Sequence, residues 1–460
     1  MRANLIALFV VASAAAADPP RKPNVLFLLA DDMRADTLGH PAAKTPTLDA
    51  LRKRGFTFTN AYCMGGNSGA VCTPSRNMLL SGNAYFRWKD YTPPTKGAQK
   101  GLLAPGDGPN LPLAMKDAGY LTYHHGKRGN TAPLIQAKFE VNKYLKNDEA
   151  ERKSGEPGRE IVDDAIAFLK ANQDPRPVFM YLAFGNPHDP RVADKKYLDQ
   201  HDPAKIPLPK NLLPLHPFDN GELVVRDEQL LPWPRTEADV RRTLHEYHAT
   251  VTGLDTHIGR LLGYLRETGQ LDHTLVVFSA DQGIAVGSHG LLGKQNLYDH
   301  SMKAPLAFAG PGIPAGTSDT LVYLFDIFPT LCALVGAASP AEAIDGRTFH
   351  GLFNGTAKAA RAELMLAYRG VQRAIRDGRW KLIRYPAVNK TQLFDLQTDP
   401  DETKDLSRDP SQAGRVANML SRLAGHQKDY GDDVPLTVPV TKPAAVTAEQ
   451  LREMAKPKKK

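Results

Sequence analysis

The chain has 460 residues, 42% of them hydrophobic, and a formal net charge of +8. This length is enough to bury a substantial core, as two or three domains or as one dominant α/β domain. The positive charge favours anionic partners, but no nucleic-acid-binding motif accompanies it, so we expect no nucleic-acid partner.

The first residues predict a secretory signal peptide. Arg2 precedes an apolar stretch at residues 5–11, and three alanines at 15–17 form a small-residue cleavage site before Asp18. The apolar stretch is too short for a transmembrane helix, and no later one is long enough to cross a bilayer. We therefore expect residues 1–17 to be removed and the mature protein to be exported, periplasmic or extracellular, with no membrane span.

Apolar runs and helical patterns alternate through the first two thirds of the chain. Nearly continuous apolar runs predict buried strands at Asn24–Ala30, 178–184, 274–279 and 305–309. Helical spacing of apolar residues predicts helices at Pro46–Arg54, 161–170 and Glu237–Glu267. Residues 191–234 have loop composition. This alternation predicts an α/β fold.

The pattern changes after about residue 366. Shorter segments at 372–376, Trp380–Tyr385 and 393–396 predict short antiparallel strands, and residues 411–430 predict a helix. We therefore predict an N-terminal domain at residues 18–365 and a smaller C-terminal subdomain at 366–460.

Acidic residues follow two of the predicted strands. Asp31 and Asp32 come directly after the first, and Asp281 and Gln282 follow the strand at 274–279. A lone Asp at such a place is more often a helix cap or turn, but open α/β sheets bind ligands at these strand ends. Three carboxylates and an amide carbonyl are oxygen ligands suited to Ca²⁺ and less selectively to Mg²⁺. No His/Cys cluster has the spacing of a zinc site.

The three cysteines, Cys63, Cys72 and Cys332, cannot all pair within one chain. Cys332 lies in an apolar segment and is typical of a small core residue. Cys72 has a distinctive context, because it opens the segment Cys72-Thr73-Pro74-Ser75-Arg76, which continues to Leu79-Leu80-Ser81-Gly82.

That segment resembles the signature of the formylglycine-dependent sulfatases, C-x-P-S-R followed by L-L-[TS]-G. Other segments resemble the family in the same order, at residues 45–49, 55–62, 119–122, 126–127, 187–188, 281–283, 289–290, 293–294, 326–330 and 377–382. The resemblance therefore covers nearly the whole mature chain. It implies a fold like that of alkaline phosphatase, with a large mixed central sheet between helices and a small C-terminal antiparallel sheet plus a helix.

The resemblance also implies an activity, the hydrolysis of sulfuric esters. A formylglycine-generating enzyme would oxidise Cys72, and the hydrated aldehyde would attack sulfur with one hydroxyl and expel sulfate with the other. The metal ligands would be Asp31, Asp32, Cys72, Asp281 and Gln282, with Ca²⁺ as the expected ion.

Four further residues take roles by the same resemblance. Arg76, Lys127 and Lys294 would surround the sulfate and compensate its charge during transfer. His188 would donate a hydrogen bond to the sulfate or protonate the leaving oxygen. Residues 187–191 resemble a motif of several carbohydrate sulfatases, which implies a sulfated saccharide as substrate.

The chain departs from the family pattern at two places. Gln282 stands where many sulfatases have Asn, and its carbonyl lies one methylene further out. Gly126-Lys127-Arg128-Gly129 stands where the family commonly has G-K-W-H, so the histidine that usually contacts formylglycine is absent. His124, His125, His289 and His300 are candidates to replace it.

Two other functions fit parts of this pattern. Phosphonate and phosphodiester hydrolases share the fold, and some share the cysteine signature. A non-catalytic protein that binds sulfated glycans would also be basic, but the joint presence of Cys72, Ser75 and Arg76 speaks against it, since binding needs no aldehyde.

Overall fold

The computed structural model describes residues 22–88, 105–338, 340–439 and 442–456. The predicted signal peptide lies outside these ranges. Within them, no helix combines the length and the apolar character needed to span a membrane.

The described strands, in chain order, are β1 (Asn24–Ala30), β2 (Phe56–Tyr62), β3 (Gly65–Gly66), β4 (Leu121–Gly126), β5 (Val141–Tyr144), β6 (Val178–Ala183), β7 (Thr274–Ala280), β8 (Lys303–Ala309), β9 (Gly316–Ser318), β10 (Val322–Tyr323), β11 (Glu363–Tyr368), β12 (Gln372–Asp377), β13 (Trp380–Tyr385) and β14 (Lys390–Asp395). The described α-helices are α1 (Pro46–Arg54), α2 (Cys72–Ser81), α3 (Leu111–Asp117), α4 (Pro133–Gln136), α5 (Asp148–Arg152), α6 (Arg159–Ala171), α7 (Lys195–Leu198), α8 (Glu237–Glu267), α9 (Asp299–Met302), α10 (Ile327–Val335), α11 (His350–Phe353), α12 (Ala413–Tyr430) and α13 (Ala448–Ala455).

A large mixed sheet has the strand order β10-β2-β8-β7-β1-β6-β4-β5, and β9 also pairs with β2. Its central strands β7, β1, β6 and β4 run parallel, whereas β8 is antiparallel to both β7 and β2. Almost every side chain of these central strands is buried, as expected for strands covered on both faces. The predicted mixed sheet between helices is confirmed.

A small sheet has the order β14-β13-β12-β11-β3. Its last four strands along the chain form an antiparallel meander against which α12 packs, whereas β3 comes from the N-terminal part of the chain and runs parallel to β11. Gly65 lies at φ 106°, and a Cβ there would stand 2.1 Å from the carbonyl oxygen of Ala367. Glycine is therefore required where the two backbones meet. The division of the chain at residue 366 stays a prediction.

Several predicted boundaries differ from the structure. The strand predicted at 178–184 ends at Ala183, and the one predicted at 393–396 is β14, Lys390–Asp395. The pattern of apolar runs does not predict strand β2, because its sequence alternates threonine with apolar residues and lacks a continuous apolar run. Residues 191–234 contain α7 and two 3-10 turns, one of them at Arg226–Leu230, but otherwise form loops.

Candidate active site

Four parallel strands deliver most of the predicted site residues to one edge of the large sheet. Asp31 and Asp32 follow β1, Lys127 follows β4, His188 lies in the loop after β6, and Asp281 with Gln282 follows β7. Because these strands are parallel neighbours, their carboxyl ends lie side by side, as at ligand sites of open α/β sheets.

Cys72 lies at the centre of this cluster, at the first position of α2, and is fully buried. Its Sγ lies 3.2 Å from Oδ1 of Asp31, 3.2 Å from Nε2 of Gln282 and 3.3 Å from Nζ of Lys294. Burial and the charge of Asp281 raise the pKa of the Cys72 thiol well above its usual range. As an unmodified thiol, Cys72 would be neutral and a poor nucleophile near neutral pH.

Three buried cations face the three buried carboxylates. Arg76 donates from Nε to Asp281 at 2.8 Å and from Nη2 to Asp31 at 3.0 Å. Lys127 contacts the same oxygen of Asp31 that accepts from Arg76. Lys294 donates to both oxygens of Asp32 at 2.8 Å. The cluster is thus neutral overall without a bound ion, if all three carboxyls are ionised.

Ionisation of the carboxyl groups is uneven. Burial opposes the charge of Asp31, but Lys127 and Arg76 outweigh it and hold its pKa below the usual range. Burial raises the pKa of Asp281 to about 6, with the charge of Asp31 adding to the effect. Burial also raises the pKa of Asp32, despite the opposing charge of Lys294. Burial therefore disfavours the charged form of two of the three carboxyl groups, and a bound cation would relieve that cost.

The donor set fits a hard divalent cation. One ligand atom from each of Asp31, Asp32, Cys72 and Asp281 lies within 4.8 Å of the others. Oε1 of Gln282 is buried, and no protein group in the described ranges donates to it. Its amide nitrogen lies 2.6 Å from Oδ1 of Asp32, so turning the amide over would direct the carbonyl to the carboxylates. A cation between them would favour that arrangement, because it would offset the repulsion among the oxygens.

His188 lies at the edge of the cluster, with Nε2 3.7 Å from Oδ2 of Asp32. Its Nδ1 lies 2.6 Å from the carbonyl oxygen of Asp189, which can only accept, so we place a proton on Nδ1. Burial and the charge of Lys294 lower the pKa of His188 to about 3. The imidazole is therefore neutral near pH 7, and Nε2 presents a lone pair towards the site until an anionic ligand favours its protonation.

Three of the four histidines considered as replacements at Gly129 form hydrogen bonds elsewhere, and Nδ1 of the fourth, His125, has no hydrogen-bond partner among the described residues. His124 contacts Asn142 at 2.7 Å, and His125 lies 3.6 Å from Asp164. His289 bonds the carbonyl of Glu402, and His300 bonds Ser301. The amide of Gly129 itself donates to Asp148 at 2.8 Å.

Sequence reasoning missed a group of residues that borders the site. Arg226, Asp227 and Glu228 lie in the long loop after β6, for which the sequence predicts no function, and Gln295 follows Lys294. Gln295 donates to Asp227 at 2.8 Å, and Asp227 lies 3.9 Å from Nζ of Lys294. The available signal was a run of three charged residues inside a proline-rich loop.

Comparisons with known proteins agree with this geometry. A family model described as Sulfatase matches residues 23–337, and a second, described as N-sulphoglucosamine sulphohydrolase, C-terminal, matches residues 287–429. The chain belongs to the sulfatase family. This sulfatase is accordingly an enzyme, a sulfuric ester hydrolase, as predicted.

Curated relatives match this sulfatase over most of its length. A choline-sulfatase of Rhizobium meliloti is 29% identical over 445 residues, covering 85% of this chain and 83% of the relative. An N-acetylglucosamine-6-O-sulfatase of Bacteroides thetaiotaomicron is 24% identical over 527 residues, covering 94% and 91%.

Solved structures show the same fold. One was determined in complex with its substrate D-glucosamine-2-N,6-O-disulfate; it has a TM-score of 0.73 and 22% identity, covering 90% of this chain and 99% of that one. A phosphonate monoester hydrolase of Silicibacter pomeroyi also has a TM-score of 0.73, with 24% identity and coverage of 90% and 96%.

Proposed function

We propose that this sulfatase removes sulfate from a sulfated saccharide, with Cys72 converted to formylglycine and Ca²⁺ held beside it. The observation that carries the proposal is the convergence of Asp31, Asp32, Asp281 and Gln282 on Cys72. Widely separated parts of the chain supply these residues, and the raised pKa of the buried Cys72 thiol at their centre keeps it protonated near neutral pH.

Oxidation of Cys72 gives the site the nucleophile that it otherwise lacks. Formylglycine, when hydrated, supplies two hydroxyl groups on one carbon, one to accept the sulfuryl group and one to expel sulfate afterwards. The side chain at position 72 is held at the first turn of α2, and Ser75 secures the helix by donating to the carbonyl of Asp281 at 2.5 Å.

Asp31, Asp32, Asp281 and the carbonyl of Gln282 would hold the metal ion. Bound Ca²⁺ would supply positive charge that lowers the pKa of the nucleophilic hydroxyl and attracts the ester's oxygens. The all-oxygen protein ligands favour Ca²⁺ over softer metals, and the longer side chain of Gln282 suits the large, flexible coordination shell of this ion better than the strict octahedron of Mg²⁺.

The remaining residues would act on the sulfate group, except Arg76, which would orient the metal ligands and not surround the sulfate as the resemblance implies. Lys127 contacts Asp31 and Lys294 contacts Asp32. With both carboxylates engaged as metal ligands, the two ammonium groups would be free to meet sulfate oxygens. Arg76 stays between Asp31 and Asp281 and orients those ligands. His188 would take up a proton as the anionic ester approaches and pass it to the leaving oxygen.

A saccharide substrate is supported by the relatives and by the basic charge of the chain. One relative is named for N-acetylglucosamine-6-O-sulfate cleavage, another is an ulvan-active sulfatase of Formosa agariphila, and one similar structure was solved with a sulfated glucosamine. We extend that substrate class to this sulfatase.

The test is a sulfate-release screen on defined sulfated saccharides and 4-nitrophenyl sulfate. The protein is produced with a formylglycine-generating enzyme, its partner in maturation, and assayed with Ca²⁺. Cys72→Ala is the matched control, because it keeps the fold and removes the nucleophile. Release of sulfate by the modified protein and not by the control supports the proposal. An active preparation in which peptide mass spectrometry finds only unmodified Cys72 would refute the formylglycine assignment.

A second candidate is hydrolysis of phosphonate monoesters or phosphodiesters. A phosphonate monoester hydrolase has the same TM-score as the sulfated-glucosamine complex, so the fold alone does not separate the two activities. The same screen includes a phosphonate monoester, and kcat/KM on the two ester classes decides which is the principal activity.

The N-terminal sequence supports export of the mature sulfatase. We propose cleavage after Ala17, which is tested by sequencing the N-terminus of protein recovered outside the cytoplasm, where Asp18 is expected first.

A further inference from the structure

We infer that three residues, Arg226, Asp227 and Glu228, form a turn that fixes the positions of His188 and Lys294 relative to each other. We call this segment the positioning turn. The inference rests on the roles proposed above for those two residues. His188 and Lys294 come from segments more than a hundred residues apart, and the positioning turn contacts both segments.

Arg226 connects the two sides of the site. Its guanidinium makes a two-pronged contact with Asp189, with Nη1 3.1 Å from Oδ1, and it also donates to Asp227 at 2.9 Å. Asp189 in turn accepts from Nδ1 of His188 through its carbonyl at 2.6 Å. A forked contact of this kind fixes direction as well as distance, which a single ammonium contact does not.

Asp227 acts on the side of Lys294. It accepts from Nε2 of Gln295 at 2.8 Å, and its carboxylate lies 3.9 Å from Nζ of Lys294. The side-chain oxygen of Gln295 then accepts from the backbone amide of Lys294 at 3.0 Å. Asp227 therefore attracts the ammonium group of Lys294 and, through Gln295, helps to fix its backbone.

Glu228 fixes the backbone of the segment that precedes Lys294. Its carboxylate accepts from the amides of Leu292 at 3.0 Å and Gly293 at 2.8 Å, and Arg235 pairs with it at 2.9 Å. The fit is close, because a Cβ at Gly293 would lie 2.9 Å from Cβ of Asp227 and 3.2 Å from Oε1 of Glu228. The residue before Lys294 therefore has no room for a side chain.

The consequence concerns turnover more than binding. A lysine has four rotatable side-chain bonds, and its ammonium group meets the transferred charge only if its backbone and stem are held. Loss of the positioning turn should thus lower kcat, since the misplaced groups are those that act during transfer. Arg226 contacts Asp189 and Asp227, so its effect on the reacting atoms would be indirect. Its side chain is 60% exposed.

The experiment measures kcat and KM for Arg226→Ala, Arg226→Lys and Asp227→Asn on 4-nitrophenyl sulfate and on the best saccharide of the screen. We expect kcat to fall by about 10- to 100-fold on both substrates, as for other residues that orient catalytic groups. Arg226→Lys should recover only part of the loss, because it keeps the charge and not the fork. The matched control is Arg379→Ala, since Arg379 makes the same forked contact with Asp395 at similar exposure in the small sheet.

The results separate this inference from the proposed function. If the wild-type sulfatase releases no sulfate from any substrate, the proposed function fails. If it is active and Arg226→Ala changes only KM for the saccharide, Arg226 binds substrate directly and the inference is overturned. A loss of kcat found only in variants that melt lower than Arg379→Ala would also overturn it, by making the turn structural.

Discussion

Replacing Lys294 by Met tests whether the buried carboxylates hold a cation. Lys294 is 2% exposed and gives Asp32 two hydrogen bonds of 2.8 Å, so the variant leaves a buried carboxylate without its ammonium partner. Breaking a buried pair in this way costs about 3–5 kcal/mol. For a chain of 460 residues the entropy of unfolding is on the order of 1 kcal/mol per kelvin, so Tm should fall by about 3–5 °C in chelator.

Calcium should reverse that loss. A bound divalent ion supplies the charge that Lys294 provided, so saturating Ca²⁺ should narrow the difference in Tm between wild type and variant. The assay is thermal unfolding with chelator and with Ca²⁺, and it needs no substrate. Lys381→Met is the control, because Lys381 is equally buried and pairs with Asp299 and Glu402 at 2.8 Å, outside the acidic cluster around Cys72. If Ca²⁺ restores both variants equally, or neither, the reasoning is refuted.

Three further predictions concern the nucleophile, the metal and pH. Cys72→Ala and Cys72→Ser should both abolish turnover and keep the fold, and the serine variant should trap a covalent sulfate detectable by mass spectrometry, because it has no second hydroxyl to expel it; normal turnover in either contradicts the nucleophile assignment. Wild-type activity should be lost in chelator and return with Ca²⁺, whereas Asp281→Asn should stay weak at calcium levels that saturate wild type; full activity after exhaustive chelation would exclude the metal role. Burial raises the pKa of Glu151 to about 7 from its ordinary 4.5, so its contribution to stability is present below pH 4.5 and lost as pH rises through 7. Glu151→Gln should therefore unfold at a Tm about 3 °C above wild type at pH 8 and at the same Tm near pH 4.5. A difference in Tm between variant and wild type that stays constant across that pH range would disprove the raised pKa of Glu151.

The fold was largely predictable from the chain because its central strands are buried on both faces. Asn24–Ala30 and the adjacent β7 are nearly continuous apolar runs, and such runs are typical of a covered strand or a buried helix. Strand β3 was not predictable, since two glycines carry no hydrophobic pattern and pair only because Ala367 and Tyr368 come to lie beside them.

Part of the candidate site could also be predicted from the sequence, and part could not. The acidic residues at strand ends and the motif around Cys72 predicted residues that the structure brings together. Their catalytic roles stay predictions. The pairing of Arg226 with Asp189 could not be foreseen, because it depends on how a long loop returns to the sheet. Charged residues in such a loop are usually solvated, and only the tertiary structure shows that Asp227 and Glu228 are buried.

The pairing of Gly65 and Gly66 with β11 also sets an order of events during synthesis. Those glycines lie a few residues ahead of Cys72, and their partner strand ends at Tyr368. The ribosome must therefore add about 300 residues after Cys72 before β3 can pair with β11. This synthesis takes on the order of 15–60 s at usual rates. In the finished protein Cys72 is 0% exposed, so the proposed formylglycine-generating enzyme would have that interval in which to reach it. Under the proposed function, conversion of Cys72 would therefore have to begin before the folded chain covers it.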